Sequence, residues 1–256
     1  MKHAIWIAAA FGAALSMQGL SAEEQAEPGF AKGIVTDQAG KPISGAIVFL
    51  DGVLDQNQQQ TTKADGTYRM RLQPGAYKAM AWFYAKYEGQ SFKVDLKPDS
   101  TDTFDDHDGA IRNFTWTLTG EKVPPDMGSY GAFVYVNVAT DNMYVEDTEN
   151  LHFTLTPKGP LIDGSEGQVI QRDGGAPRTA EYGKILDIPA GRYVITGTYT
   201  PGGQPAQTLR FRNVWARKNT GYSDALEFVI EAEGNYCSNC ASLEVESPKP
   251  PPEQGQ

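Results

Sequence analysis

Short segments in which apolar and polar residues alternate are spread along most of the chain, and turn residues separate them. Between residues 33 and 83, β-branched and aromatic segments such as Ile47–Leu50 are interrupted by Asp-Gln-Ala-Gly, Asp-Gly and Pro-Gly sequences. Glycine accepts the positive φ of a tight turn, and Asp-Gly is a strong hairpin signal. This pattern predicts several short strands packed as an antiparallel β-sandwich.

The first half continues in the same style. Ala76–Phe83 and Ser91–Leu96 are predicted strands, and Ile111–Leu118 alternates so that Phe114 and Trp116 share a face. We expect this last segment to close the first sandwich. The segment that follows, 120–128, contains two adjacent prolines and is the predicted linker.

The second half begins the pattern again, with alternating strands predicted at Ala132–Val138 and Leu151–Thr156. A later segment, Pro189-Ala-Gly-Arg-Tyr193, resembles Pro74-Gly-Ala-Tyr77, since both place a tyrosine two residues after a turn glycine. This internal repeat predicts a second β-sandwich. The predicted fold class is therefore all-β, with antiparallel sandwiches at 29–119 and 129–246 and a Pro-rich disordered tail at 247–256.

The turns of the first half also carry a combined motif. It reads Gly-x-Val-x-Asp-x-x-Gly-x-Pro at 33–42, Gly-Ala-x-Val at 45–48, Thr-x-x-Asp-Gly-x-Tyr at 62–68 and Pro-Gly-x-Tyr at 74–77. Over residues 31–97 the chain resembles the carboxypeptidase regulatory-like domain, and the resemblance implies a transthyretin-like, seven-stranded sandwich. Domains of this family are appended to peptidases, receptors and adhesins as binding or spacing modules, so the motif specifies fold and not function. We recognise no family motif in residues 121–246.

The first 22 residues have the pattern of a secretory signal peptide. Lys2 precedes a short apolar region at 4–15, and small residues precede Glu23. The apolar region is too short for a membrane span, although a single anchoring helix is the alternative. We therefore expect an exported protein of the periplasm or extracellular space, with no membrane span after removal of the signal.

The charge of the chain is acidic, with 22 basic and 32 acidic residues and a net charge of −10. Nucleic-acid binding requires basic patches, so this balance argues against a nucleic-acid partner. The two cysteines, Cys237 and Cys240, stand in Cys-Ser-Asn-Cys, and export favours a local disulfide between them. A redox site is the alternative, but no βαβ pattern surrounds the pair.

Several enzyme classes lack their residues in this sequence. A catalytic zinc needs about three protein ligands, yet the predicted mature chain has only His107 and His152, neither in a His-Glu-x-x-His arrangement. The nucleophile elbow Gly-x-Ser-x-Gly is missing, because Ser165 stands one residue too early between its glycines. The Tyr-Arg-Gly-Ser signature of transthyretin-like hydrolases is missing as well. We therefore expect a protein without enzymatic activity and without a required cofactor.

An acidic segment is the candidate metal site. Five aspartates fall within ten residues: Asp99, Asp102, Asp105, Asp106 and Asp108. Calcium takes six to eight oxygen ligands, so these carboxylates form a candidate calcium site, with a solvated loop as the alternative. A metal-assisted hydrolase using Asp105, His107 and Asp108 is a third hypothesis.

Four aromatic residues, Trp82, Tyr84, Tyr87 and Trp116, are the candidate ligand platform. Alternation along a strand places Trp82 and Tyr84 on one face, which is either sandwich core or an exposed surface that stacks on sugar or peptide. The resulting expectation is a binding or scaffolding protein that contacts an envelope or extracellular protein through its sandwiches. The alternative is a carbohydrate-binding accessory protein that uses this aromatic platform.

Overall fold

The computed structural model of this protein describes residues 25–53, 56–124, 127–139, 148–200, 202, 204–215, 221–234 and 237–246. The predicted signal peptide and the predicted tail lie outside these residues. The regular structure of the described residues is almost entirely β, and a 3-10 turn spans Thr148–Asn150. The strands of the first half are β1 Phe30–Asp37, β2 Ile47–Gly52, β3 Gln58–Thr61, β4 Thr67–Arg71, β5 Ala76–Tyr87, β6 Gln90–Asp95, β7 Lys97–Pro98, β8 Phe104–Asp105, β9 Ala110–Ile111 and β10 Phe114–Trp116. Those of the second half are β11 Ala132–Val138, β12 Leu151–Pro157, β13 Ile170–Asp173, β14 Lys184–Ile188, β15 Arg192–Tyr199, β16 Gln207–Thr208, β17 Arg210–Asn213, β18 Leu226–Val229, β19 Glu231–Glu233 and β20 Ser238–Glu246.

The first sandwich consists of two five-stranded sheets. One has the order β4-β1-β10-β7 with β9 beside β1, and the other has the order β3-β2-β5-β6 with β8 beside β5. The β1–β10 and β1–β9 pairs are parallel, and the remaining pairs are antiparallel. Alternate side chains of both sheets fill the space between them, including Val35, Val48, Tyr68, Tyr77 and Phe114.

The second sandwich repeats this topology strand for strand. Its sheets have the orders β14-β11-β20-β17 and β13-β12-β15-β16, with β18 beside β15, so that each strand corresponds to the strand ten places earlier. The parallel β1–β10 pair has its counterpart in the parallel β11–β20 pair. One short strand differs, because β9 lies beside β1 whereas β19 lies beside β20. The prediction of an all-β fold with two antiparallel sandwiches is confirmed.

The tyrosines of the internal repeat occupy equivalent positions. The Tyr77 hydroxyl donates to the Gln73 carbonyl at 2.9 Å, and the Tyr193 hydroxyl donates to the Pro189 carbonyl at 2.8 Å. Both rings are buried, and each stacks on a phenylalanine of the short strand beside it, Phe104 in β8 or Phe228 in β18. A buried tyrosine hydroxyl requires an acceptor, and the carbonyl at the start of the Pro/Gly turn supplies one.

One predicted strand is divided in the structure. Ile111–Leu118 was expected to be continuous, but β9 ends at Ile111 and β10 begins at Phe114. At the break, the Arg112 carbonyl accepts the Tyr68 hydroxyl at 2.7 Å, and the Asn113 side chain accepts the Ile34 amide at 3.0 Å. The same carbonyl lies so close to Gly33 that a Cβ there would meet it at 2.0 Å. The first glycine of the family motif therefore makes room for the backbone that joins β9 to β10 alongside β1.

Candidate functional site

The two sandwiches share a buried junction. The end of β5 and the strand β6 extend beyond the first core, and Ala85, Phe92 and Val94 belong to the hydrophobic core of the second sandwich. Phe83 and Trp116 contact both cores, and their rings meet edge to face at 4.8 Å. The β5–β6 hairpin is therefore a wedge that joins the two cores.

Polar contacts surround this wedge. Each joins a residue at the end of the β5–β6 hairpin to the second sandwich: the Tyr87 hydroxyl to the Pro160 carbonyl (3.0 Å), Arg192 to Glu88 (2.9 Å), the Ala232 amide to the Gln90 side chain (2.9 Å) and the Asn239 side chain to the Lys93 carbonyl (2.8 Å). Arg192 also donates to Glu227 at 3.0 Å. Its two carboxylate partners raise the pKa of Arg192, and Lys158 together with Arg192 lowers the pKa of Glu227.

The chain between the sandwiches is held by one aspartate. Asp187 accepts the amide of Gly120 at 2.9 Å and the amide of Gly131 at 3.1 Å, so it binds both ends of the connecting segment. Asp187 has a φ of +54°, which costs energy for a residue other than glycine unless its surroundings stabilise it. Gly131 has no space for a side chain, since a Cβ there would lie 2.6 Å from the Asp187 carboxylate. Asp187 thus fixes both Gly120 and Gly131 to the second sandwich.

A cleft of about 810 Å³ lies where the connecting segment crosses between the sandwiches. A second cleft of about 360 Å³ continues it over the outer face of β5 and β6, and the two share Asp95, Lys122, Met127 and Tyr130. Lys122 pairs with Asp95 at 2.6 Å. We call the two clefts together the junction groove.

Lysines lie over aromatic rings in and beside this groove. Three ammonium groups lie over aromatic faces within cation–π range: Lys93 over Trp82 at 4.7 Å, Lys122 over Tyr130 at 5.7 Å and Lys184 over Tyr135 at 5.5 Å. Each pair presents apolar surface together with positive charge. The larger cleft is also lined by five carboxylates: Asp95, Glu121, Asp173, Glu181 and Asp187.

The four residues of the predicted aromatic platform divide between two environments. Trp82 and Tyr84 share the outer face of β5, as alternation predicted, and Tyr84 is 55% exposed. Tyr87 and Trp116 instead pack against the second core at the junction. Sequence reasoning missed Phe49, whose ring centroid lies 6.1 Å from that of Trp82. The alternation of β2, which places Phe49 on the same outer face, could have identified this residue.

The acidic segment does not form a cluster of side chains around one point. Asp99 accepts the Asn113 side chain, Asp102 bonds with Ser100, and Asp105 accepts the backbone amides of His107 and Asp108. The Asp106 side chain accepts the Gly75 amide at 2.9 Å. Within the described ranges, no three His, Cys, Asp or Glu side chains are grouped as metal ligands. The calcium site stays a prediction without geometric support.

The remaining candidates are located as follows. His107, the residue of the hydrolase hypothesis, has an 84% exposed side chain 3.4 Å from Asp106. His152 lies on the outer face of β12 and pairs with Asp173 at 2.7 Å. Cys237 and Cys240 form the predicted disulfide, which confirms that expectation.

These features define a class of protein: two β-sandwiches of one topology, fixed to each other and crossed by a groove. Residues 31–106 match the family model of the carboxypeptidase regulatory-like domain. This match confirms the resemblance of the first sandwich and extends it beyond residue 97. No curated protein sequence matches the chain at a significant level.

Solved structures give only distant likenesses. The Bacillus anthracis TIE protein matches at 14% identity and a TM-score of 0.32, over 88% of this chain and 34% of that one. A C-terminal fragment of the pilus adhesin SpaC from Lactobacillus rhamnosus GG matches at 13% identity and a TM-score of 0.27, over 88% of this chain and 97% of the fragment. BcpA, the major pilin subunit of Bacillus cereus, matches at 12% identity and a TM-score of 0.26, over 88% of this chain and 100% of that one. With TM-scores this low, these likenesses support no conclusion about function. Among the described residues, no helix is long and apolar enough to cross a membrane.

Proposed function

We propose that this chain is an exported, non-enzymatic binding or scaffolding protein of the periplasm or cell surface, acting through protein–protein contacts of its two sandwiches. In this proposal residues 1–22 are the signal peptide, 29–119 and 129–246 are the domains, 120–128 is the linker and 247–256 is a tether. The observation that carries the proposal is the junction groove. It is built on a buried wedge and on a connecting segment whose two ends Asp187 binds, so a partner meets a preformed surface.

The chemistry of the groove favours binding over catalysis. Its aromatic rings, together with Met80 and Met127, resemble the composition of protein interfaces, which are enriched in aromatic side chains and methionine. The His152–Asp173 pair is exposed on a sheet face, where solvent screens its charges. The Cys237–Cys240 disulfide is consistent with an oxidising compartment.

Affinity capture from the native envelope tests the proposal. The tagged, full-length protein would be cross-linked in intact cells, purified and analysed by quantitative mass spectrometry, with an untagged strain as the control. We expect one protein partner at a stoichiometric level. Recovery of no protein above the control would contradict the proposal, and a glycan array would then test the carbohydrate-binding alternative, with Trp82→Ala and Tyr84→Ala as the variants.

A further inference from the structure

The outer face of the β3-β2-β5-β6 sheet has the wrong composition for a solvated sheet face. In the register of β2 and β5, Ile47 lies opposite Trp82, and Phe49 lies opposite Met80. All four are partly exposed, and with Tyr84 they form a continuous apolar surface that we call the β2–β5 face. An antiparallel sheet with one face on a core normally has polar residues on the other face.

The second sandwich supplies an internal control for this comparison. Gly52 pairs with Tyr77 as Pro157 pairs with Tyr193, so positions in β2 and β5 correspond directly to positions in β12 and β15. The equivalents of the four apolar residues are His152 opposite Thr198 and Thr154 opposite Thr196. The same topology therefore forms with a polar outer face, and the fold does not require the β2–β5 face to be apolar.

The charges beside the β2–β5 face oppose the charge of the whole protein. The part of the junction groove above this face is lined by Lys78, Lys93 and Lys122. Asp95 binds Lys122, and Asp51 lies opposite Lys78 in the β2–β5 register, so Lys93 is the excess positive charge. The protein as a whole carries a net charge of −10. A local excess of lysines on an acidic protein attracts carboxylates and repels cations.

We propose that the β2–β5 face is the docking site for an acidic segment of a protein partner, which inserts an apolar side chain beside Trp82 and directs a flanking carboxylate to Lys93. This inference rests on the proposed function and deepens it by specifying the partner's chemistry. A protein fits better than a glycan, because Ile47 and Met80 offer no planar surface for a sugar ring. The open plane of Trp82 is also covered by the Lys93 ammonium group.

The test uses the full-length protein and a library of random phage-displayed peptides about a dozen residues long, the size of segment that an interface groove holds. The library is first depleted on the variant I47H/F49T/M80T/W82T, which carries the residues of the equivalent face in the second sandwich. We expect the enriched peptides to be acidic, with an aromatic or aliphatic residue between carboxylates. The best peptide, synthesised and titrated by calorimetry, should bind about tenfold more weakly to W82T.

Charge and position have separate controls. K93Q changes an exposed side chain, so the variant should fold, and it should weaken peptide binding a few-fold and reduce its dependence on salt. T154A/T196A alters the equivalent face of the second sandwich and should leave binding unchanged. If the fourfold variant fails to fold, as judged by circular dichroism, W82T and K93Q decide the question on their own.

Several outcomes would overturn this inference. They are a library that enriches no peptide, enrichment of basic peptides, binding that is insensitive to both W82T and K93Q, self-association that W82T abolishes, and glycan binding that depends on Trp82. Affinity capture separates this failure from that of the proposed function. A stoichiometric partner recovered equally by the wild type and W82T would keep the proposed function and reject this site.

Discussion

At the scale of single residues, buried tyrosines stabilise both sandwiches through their hydroxyl groups. Tyr68, Tyr77 and Tyr193 are almost fully buried, and each donates to a backbone carbonyl. Burial raises the pKa of Tyr68 and of Tyr193 well above the usual range, and for Tyr68 the nearby Asp99 carboxylate adds to the effect. Their protonated forms are therefore part of the native structure.

This burial predicts a loss of stability at alkaline pH. Above about pH 10 the unfolded chain ionises its tyrosines, whereas the folded chain keeps Tyr68 protonated, so the free energy of unfolding falls with pH by up to about 1.4 kcal/mol per unit for each such group. Tyr68→Phe should reduce this slope, as measured by urea unfolding at a series of pH values above 10. Equal slopes in the variant and the wild type would contradict the prediction.

At the scale of elements, the β5–β6 hairpin and the connecting segment fix the junction. The hairpin contributes side chains to the core of a sandwich to which its own sheet does not belong. The carboxylate of Asp187 binds the connecting segment at both ends, through the amides of Gly120 and Gly131. A few contacts therefore determine how the junction groove is shaped.

Substitution of Asp187 should loosen the connection. Asp187→Ala leaves the amides of Gly120 and Gly131 without their acceptor, at a cost of about 2 kcal/mol in the free energy of unfolding. Asp187→Asn should cost less, because asparagine keeps an acceptor oxygen and tolerates positive φ. Urea unfolding gives the free energies, and amide hydrogen exchange at the two glycines gives the local effect. Unchanged exchange in D187A would show that Asp187 does not hold the segment.

The disulfide should have a modest and local effect. It closes a loop between cysteines three positions apart, for which the chain-entropy model gives about 2 kcal/mol. The double variant C237A/C240A should therefore fold with a lower Tm and with faster exchange in the Ser238–Asn239 segment that contacts Lys93. Calorimetry and hydrogen exchange measure the two effects. A variant that cannot fold would show that the disulfide contributes more than this local constraint.

At the scale of the whole molecule, the shared core predicts that the two sandwiches unfold together. Phe92 belongs to the first sandwich by sequence and to the second core by packing. Phe92→Ala should cost about 3–5 kcal/mol and separate a single calorimetric transition into two. Phe104→Ala removes a similar ring far from the junction and should lower the Tm while keeping one transition. Two transitions in the wild type would contradict this prediction.

Much of the architecture follows from local sequence signals. Strand alternation, the Asp-Gly and Pro-Gly turns and the repeated tyrosine predict two antiparallel sandwiches, because each signal acts within a few residues of the chain. The family motif gives the first sandwich, and the spacing of Cys237 and Cys240 gives the disulfide. The shared face of Trp82 and Tyr84 also follows from alternation alone.

The rest of the candidate site depends on contacts between residues far apart in sequence. Trp116 and Tyr87 were predicted beside Trp82, but packing of the second sandwich against β5 and β6 partly buries them at the junction. The contact of Asp187 with Gly120 spans 67 positions and leaves no periodic signal in the sequence. By itself, the sequence determined the strands, the turns and the fold class, because these depend on local conformational preferences. Only the tertiary structure decided which apolar faces became core and which line the groove, because that depends on how the two sandwiches pack together.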